Sequence, residues 1–445
     1  MERFLAHIII RATSPLKVGC GDSDLFCDAP VQKDWNNLPM ILGTSVAGIL
    51  RSAIESEDKA LADEIFGSKD ERDISKQLGS KLIVSNALLV ASKKDKVCEE
   101  LLLNKDSFLK IFENLPVREH VSISHKGTAK EYSKFDEEIV FKGAKFKFSL
   151  EFSGSKEKFE RVLSVLPAPD IRLGGGSSKG FGEFSVDSIK WGQVRLDSYS
   201  SSLNDDVSLN EFINKKTNTN SFVKYELSLV PDNFFIFGSG VGDEESDQTP
   251  ALEKTIDYEK MALSDEKVVV PASSLKGALS HRTVFHYNKF MLANNGDYQK
   301  VGEENEAVRE IFGYKKDDSS GKKGRILISD CFKEFCEDMD TKVFDHVSID
   351  RFTGGAIDGA LFQEKTIGAK TDSVKFKIKI LVKTPQEKDE SLEKFQIATN
   401  AFENALLDVA QGLLPLGGMT TKGHGFFSGE VMKNGVKMER KNEKK

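Results

Sequence analysis

The chain opens with an unbroken apolar run, Phe4 to Ile10, and a second such run, Tyr225 to Val230, opens its second half. Each reads as a buried strand. A polar, Asp-rich loop follows each run. Apolar residues then recur at helical spacing, in VAGILRSAIE behind Thr44-Ser45 and in LKGALSHRTVFHY behind Ser273-Ser274, with the hydroxyls where helix N-caps belong. Short apolar runs at Leu82 to Val84 and Ile326 to Ile328 predict further strands. Period-two alternation predicts half-buried strands through Phe146, Phe148, Leu150 and Phe152 and through Phe376, Ile378, Ile380 and Val382. Helices are predicted over 156–165 and 390–413, and Gly182 to Val186 alternates like a closing strand. Strand, helix, strand, strand, helix, strand is the split βαβ order of ferredoxin-like folds.

The pattern is a duplication. Six landmarks recur in the same order: Asp28 with Asp257, GTSVAGILRS with ASSLKGALSH, EIFGS with EIFGY, LIVSNA with ILISDC, HVSISHKGTA with HVSIDRFTGG, and LGGGSSKGFGEF with LGGMTTKGHGFF. The displacements are 257 − 28 = 229, 272 − 43 = 229, 310 − 64 = 246, 326 − 82 = 244, 346 − 120 = 226 and 416 − 173 = 243, so only loops change length. A period this long describes two domains, not a solenoid. The expected organisation is a first domain over 1–199, a Ser/Asn/Asp/Lys-rich linker over 200–221, a second domain over 222–435 and a basic tail over 436–445. The tail holds five Lys and Arg against two Glu and reads as frayed.

The paired glycine loops carry the plainest chemistry. Gly-Gly, including Gly175 and Gly418, precedes a hydroxyl-rich turn, then Lys179 or Lys422, and then Gly-(Phe/His)-Gly. Clustered glycines permit positive φ and close backbone approach, and successive N–H groups in such a turn can form an anion-binding nest. A P-loop requires Gly-Lys followed by Ser or Thr, whereas Gly180 follows Lys179; the dinucleotide fingerprint fails because the loop runs into a strand.

Net charge is 63 − 70 = −7, which excludes a protein that coats nucleic acid through bulk electrostatics and makes any polyanion site local. The five cysteines, Cys20, Cys27, Cys98, Cys331 and Cys336, include no C-x-x-C pair and support neither a disulfide framework nor a structural zinc site. A reducing cytoplasm fits this usage. The run Ala6 to Ile10 is too short for a signal peptide or a membrane span.

Together these landmarks resemble the RAMP superfamily of CRISPR-associated proteins, in particular the backbone subunits of type III effector complexes. The most specific stretch is HVSIDRFTGGAIDGALF (346–362), which resembles that family's thumb segment. HVSISHKGTAKEYSKF keeps its start but carries Ser124-His125 in place of Asp350-Arg351, which predicts a first thumb of different shape. The glycine loops resemble the family's C-terminal signature, and PASSLKG (271–277) its loop-to-helix element. The resemblance implies an α+β chain of two tandem ferredoxin-like (RRM-like) domains with inserted thumb segments. It also implies a filament subunit that grips guide RNA and cuts paired target RNA with a divalent metal, magnesium, alongside other CRISPR effector subunits and away from any membrane.

The Asp that the resemblance makes catalytic and metal-binding is Asp28 in FCDAPV and Asp257 in TIDYEK. Each stands fifteen positions before its loop-to-helix element, 43 − 28 = 15 and 272 − 257 = 15, although the second lacks the Ala-Pro-Val that follows the first. Asp22 and Asp24 either assist the ion or solvate the loop, and GDEESD (242–247) lies upstream of Asp257. Cleavage can use the adjacent 2′-hydroxyl as nucleophile, with a carboxylate holding a metal or accepting a proton. Phosphate contacts suit Lys179, Lys422 and Lys276 with Thr44, Ser45, Ser273 and Ser274, because amines, hydroxyls and helix N-termini are the usual partners of a nucleic-acid backbone. Arg51 on the first helix joins this RNA-binding set. In the thumbs Lys126 and Arg351 are backbone or stacking contacts and Phe352 is a wedge or stacking side chain. His120 and His346 match each other and read as structural. Two rival readings are a purely structural RNA-binding subunit and a stand-alone guide-processing ribonuclease. The second needs a His, Tyr or Lys acid–base set that the sequence does not display.

Overall fold

The computed structural model describes residues 2–23, 27–68, 77–124, 126–195, 199–205, 209–213, 222–294, 296–316, 320–371, 373–385 and 392–440. Within them the chain is α+β and forms two ferredoxin-like domains, each around its own antiparallel sheet. In the first half, Arg3–Ala12 runs between Lys145–Ser153 and Phe184–Gln193, and Leu82–Val84 lies outside Lys145–Ser153. In the second, Phe222–Pro231 runs between Phe376–Lys383 and Phe427–Lys433, with Ile326–Ile328 outside. Numbered along each half, both sheets have the order four, one, three, two that a split βαβ unit produces. The alternation along Lys145–Ser153 is realised residue by residue: Phe146, Phe148, Leu150 and Phe152 are buried and the residues between them are partly exposed. Each core then closes by laying helices on one face. Val46, Leu50 and Ile54 of the helix Gly43–Glu55 join Phe159, Val162 and Leu163 of Lys156–Val165 in the first core. Ala272–Ala293 and Leu392–Ala410 cover the second.

Neither first helix is capped by its own hydroxyls, which corrects the N-cap expectation. Gly43–Glu55 is preceded by Leu42 and Ala272–Ala293 by Pro271, and neither end has a local side-chain cap. The capping oxygen comes instead from the end of the second strand. Asn86 Oδ1 accepts from Gly43 N at 2.9 Å, and Asp330 Oδ1 accepts from Ala272 N at 2.8 Å. This ties each helix start to its sheet and leaves the hydroxyls of Thr44, Ser45, Ser273 and Ser274 out of the cap. The last long helix stops at Ala410, short of Leu413, because Gly412 takes a φ of 69° and the amides of Leu413 and Leu414 turn back onto Asp408 O. The predicted start at Glu390 lies outside the described residues.

The thumbs are β-hairpins, Val117–Ile123 with Ala129–Glu138 and Met339–Ile349 with Ala356–Ala369. Both shift register at the same place, between Val121 and Ile123 and between Val347 and Ile349. Their tips also close alike, with Ser124 N donating to Thr128 O and Asp350 N donating to Gly355 O, each at 2.8 Å. Asp350 accepts the amides of Phe352 and Thr353 at 2.8 Å, whereas Ser124 Oγ accepts the amide of Lys126 at 3.2 Å. The closing bond spans four positions in the first tip and five in the second, and the Asp-to-Ser exchange changes the turn-closing acceptor, so the first tip is one residue shorter and differs in shape as expected; His125 lies outside the described residues.

Part of the linker belongs to the first sheet. Asn210–Glu211 pairs with Phe184–Gln193, and Asn204 is bonded to Val97 through both its side-chain oxygen and nitrogen. At the other end, Val436–Lys437 pairs back onto Phe427–Lys433 and Arg440 grips the buried Asp408, so the basic run is docked through Arg440 and not frayed there; residues 441–445 lie outside the described residues.

The halves meet along a polar seam. Arg118, at the root of the first thumb, bonds Glu253 and Asp330 of the second half. Gly180 forms a bridge with Ser329, and Lys276 donates to Ser178 Oγ at 3.0 Å. An arm of the second half, carrying Ile256–Asp257 and Ala262–Leu263, reaches back into the first core. There Ile256 N donates to Lys142 O at 2.8 Å, and the buried Tyr258 donates to Val90 O at 2.9 Å. No described helix is long and apolar enough to cross a membrane.

Candidate nucleic-acid interface

The two glycine loops are built on the same hydrogen bonds. Gly175 N donates to Lys17 O and Gly418 N to Ile236 O, both at 2.8 Å; Gly182 N donates to Pro15 O and Gly425 N to Phe234 O, both at 2.9 Å. The glycines before them are required by space as well as by φ. A Cβ on Gly174 would stand 2.1 Å from Lys17 O, and one on Gly417 would stand 2.3 Å from Ile236 O, at φ values of 79° and 89°. Each loop is thus stitched to the segment that continues the opening strand.

That segment fixes the true correspondence of the aspartates. Pro15 matches Phe234 and Lys17 matches Ile236, with 234 − 15 = 219 and 236 − 17 = 219. The bridges Gly19 with Val31 and Gly238 with Pro250 keep the same interval, 238 − 19 = 219 and 250 − 31 = 219. Asp28 therefore matches Asp247, since 247 − 28 = 219, and the contacts agree. Asp28 Oδ2 accepts the amide of Asp136 at 3.1 Å, and Asp247 Oδ2 accepts the amide of Gln363 at 2.8 Å, at the same place on each thumb strand. One position later, Glu138 N donates to Ala29 O at 3.1 Å and Lys365 N to Gln248 O at 2.8 Å. Both aspartates are exposed, while Cys27 and Ser246 just before them are buried.

Asp257 is elsewhere. It lies on the arm in the first core, where its Oδ1 accepts the amides of Glu259 and Lys260 at 2.9 and 3.2 Å and closes a turn. The equal fifteen-residue spacing is a coincidence of an insertion: from Asp247 the helix begins 272 − 247 = 25 positions on, and the surplus is the arm. A sequence signal for Asp247 existed in the glycines at 19, 21, 238 and 240, which hold the 219 interval.

Other expected contacts divide. Arg51 is engaged within the fold, donating to Gly67 O at 2.8 Å and Asp63 Oδ1 at 2.7 Å. Lys126, Arg351 and Phe352 stand exposed at the thumb tips, with Phe352 fully so. Lys179 Nζ sits 5.1 Å from the centre of the Phe135 ring, and Lys422 Nζ sits 5.6 Å from that of Phe362. Lys276 comes from the other half to the first loop, and burial together with the nearby Lys179 charge lowers its pKa. Ser273 and Ser274 precede it at the helix start, and Lys179 and Lys276 bring two cations together at the seam. Asp22 is exposed, and Asp24 lies outside the described residues.

The donors around Asp28 fit a magnesium ion in kind. Asp28 N donates to Asp136 Oδ1 at 2.7 Å while Asp136 N donates to Asp28 Oδ2, so two carboxylates are held side by side. Magnesium is commonly held by one or two carboxylates with waters and substrate phosphate completing its shell. Around Asp247 the neighbour is the amide of Gln363, leaving one carboxylate. No group of three or more His, Cys, Asp or Glu suited to a metal occurs among the described residues.

A tandem ferredoxin-like pair with inserted hairpins and paired glycine loops is the class of architecture the chain presents. The RAMP superfamily model matches residues 9–185 and 234–428, and the chain belongs to that superfamily. No curated protein sequence matches it. Among solved structures, a chain from the cryo-electron microscopy structure of the type III-B Cmr-beta complex bound to cognate target RNA is 18% identical, with a TM-score of 0.32. The alignment covers 43% of this chain and 61% of that one.

Proposed function

We propose that the chain is a tandem backbone subunit of a type III CRISPR effector complex, holding guide RNA along its two glycine loops and cutting the paired target RNA at Asp28 and Asp247. The observation that carries this reading is the repeated seat: two exposed carboxylates, one per half, each fixed by the same backbone amide of a thumb hairpin. The thumb strand fixes the carboxylate, and Phe352 at the exposed second tip offers a face on which a base can stack. With the strand splayed and its phosphate in line, the neighbouring 2′-hydroxyl attacks the phosphorus while the P–O5′ bond breaks, leaving a 2′,3′-cyclic phosphate and a 5′-hydroxyl that takes its proton from water. The aspartate accepts the attacking hydroxyl's proton or contributes to a metal site. Magnesium, when bound, would supply charge neutralisation at the phosphate. Target sequence is read by pairing with the guide and not by these side chains.

The test is cleavage of complementary RNA by the purified complex. Two cuts one module apart in magnesium, abolished by chelator, support the reading. Tight binding of target without cleavage in magnesium makes the chain a structural RNA-binding subunit.

A further inference from the structure

One constellation recurs in both halves and is not used by the chemistry above. On the first thumb, the His120 ring stacks on Phe135 with centroids 5.2 Å apart, Lys179 covers Phe135 from the glycine loop, and His120 Nε2 lies 3.5 Å from Glu137. On the second, His346 stacks on Phe362 at 6.2 Å, Lys422 covers Phe362, and His346 Nε2 meets Glu364 at 2.9 Å. The intervals agree: 135 and 137 match 362 and 364 through 227, and 120 matches 346 through 226. Glu137 and Glu364 are both buried.

The opposite partners of these carboxylates differ. Glu137 is gripped by Lys17, from the segment under the first glycine loop. In the second half that position is Ile236, and the carboxylate's partner comes from the loop itself, where His424 Nε2 meets Glu364 at 3.0 Å. A related exchange lies two residues before the thumb histidines. Arg118 sits over Phe181 in the first half, while in the second Phe344 packs against His424. The contact survives while the residues that make it trade places.

We infer that Glu137 and Glu364 are positioning residues for the two cleavage sites proposed above. Along an extended strand, successive side chains face opposite ways. Glu137 points inward and is anchored to the strand extension and to His120, while the backbone amide one residue earlier, at Asp136, holds Asp28. Glu364 stands in the same relation to Gln363 and Asp247. The glutamates therefore fix where on the thumb the amide is presented, and through it the carboxylate. Lys179 and Lys422 serve the same latch from above, so they hold the thumb as well as facing RNA.

The experiment uses the assembled complex with Glu137→Gln and, separately, Glu364→Gln. Each variant should slow the cut assigned to its own half about 10- to 100-fold, the scale on which misplacement by about 1 Å acts, while the other cut and target-RNA affinity stay within about twofold. Amide exchange at Asp136 or Gln363 should rise in step. Lys17→Arg, which keeps the charge, should retain the first cut, and Lys17→Met should lose it. Slowing of both cuts together, or loss of RNA affinity in parallel, means a general structural role and overturns the inference. So does wild-type exchange at both amides. If Asp28→Asn and Asp247→Asn leave cutting intact, the cleavage assignment falls on its own, and the exchange measurement still decides whether the glutamates hold the thumb.

Discussion

Arg118 donates to the carboxylate of Asp330 at 2.6 Å, joining the root of the first thumb to the residue that caps the first long helix of the second half. Burial opposes the guanidinium charge, yet Asp330 and Glu253 together hold its pKa above the usual value. One side chain thus couples the two domains to each other and to a helix start. Replacing Arg118 with Ala leaves two acids uncompensated, one of them fully buried. A loss of about 3–5 kcal/mol is expected, the range for breaking a buried pair from one side. Thermal or urea unfolding measures it, and a loss below 1 kcal/mol would show the seam to be wet and weak.

Gly180 and Gly423 occupy the same turn position but face different surroundings. Both have positive φ, 112° and 94°, so Ala is strained at either. At Gly180 a Cβ would also stand 2.1 Å from Asp330 Oδ1, whereas at Gly423 nothing lies within 4 Å. Gly180→Ala should therefore destabilise more than Gly423→Ala, by at least about 1 kcal/mol in denaturant titration. Equal losses would mean that backbone strain alone sets the cost.

On the proposed reading the aspartates should separate into working and supporting residues. Asp28→Asn and Asp247→Asn should each erase one target-RNA product and leave the other. Asp257→Asn should leave both, because that carboxylate closes a turn on the arm. Gel analysis of end-labelled target decides it, and loss of a product in Asp257→Asn with normal folding would restore that residue to the catalytic set.

Lys276 should contribute to guide retention through charge. Its change to Met removes one cation from the seam face while keeping the side chain's length, so the slope of log affinity against log salt should fall by about 1. Filter binding across a salt series reads this directly. An unchanged slope would mean that Lys276 serves the seam through Ser178 alone.

Acid should weaken the second half at Asp408. This buried carboxylate is bonded by Arg282, His286 and Arg440, and although burial opposes ionisation His286 and Arg282 lower its pKa. A carboxylate depressed on folding contributes stability that is present above its unfolded pKa of about 3.9 and is lost as pH falls through the folded value. Asp408→Asn should flatten that part of the stability profile followed by circular dichroism between about pH 5 and pH 2. A profile identical to wild type would place the acid sensitivity elsewhere.

The duplication, the ferredoxin-like order, the helix over 156–165 and the paired glycine loops were legible in the sequence, because they rest on short-range rules: alternation, helical spacing and glycines placed where a backbone approaches. Asp28 was singled out through its family motif, and its place beside the first thumb strand is seen only in the fold. Two matters were decided only by tertiary structure and a third largely so. An inserted arm shifted the apparent register so that Asp257 stood where Asp247 belongs; the glycine interval pointed to the correct match, and the bonds from the thumb strand show it. Arg51 proved to be spent on Asp63 and Gly67, since an exposed cation and a paired one look the same in sequence. The helix caps came from Asn86 and Asp330, residues 86 − 43 = 43 and 330 − 272 = 58 positions after the ends they satisfy. A helix N-terminus requires acceptors but does not dictate where along the chain they come from, and that choice belongs to the packed fold.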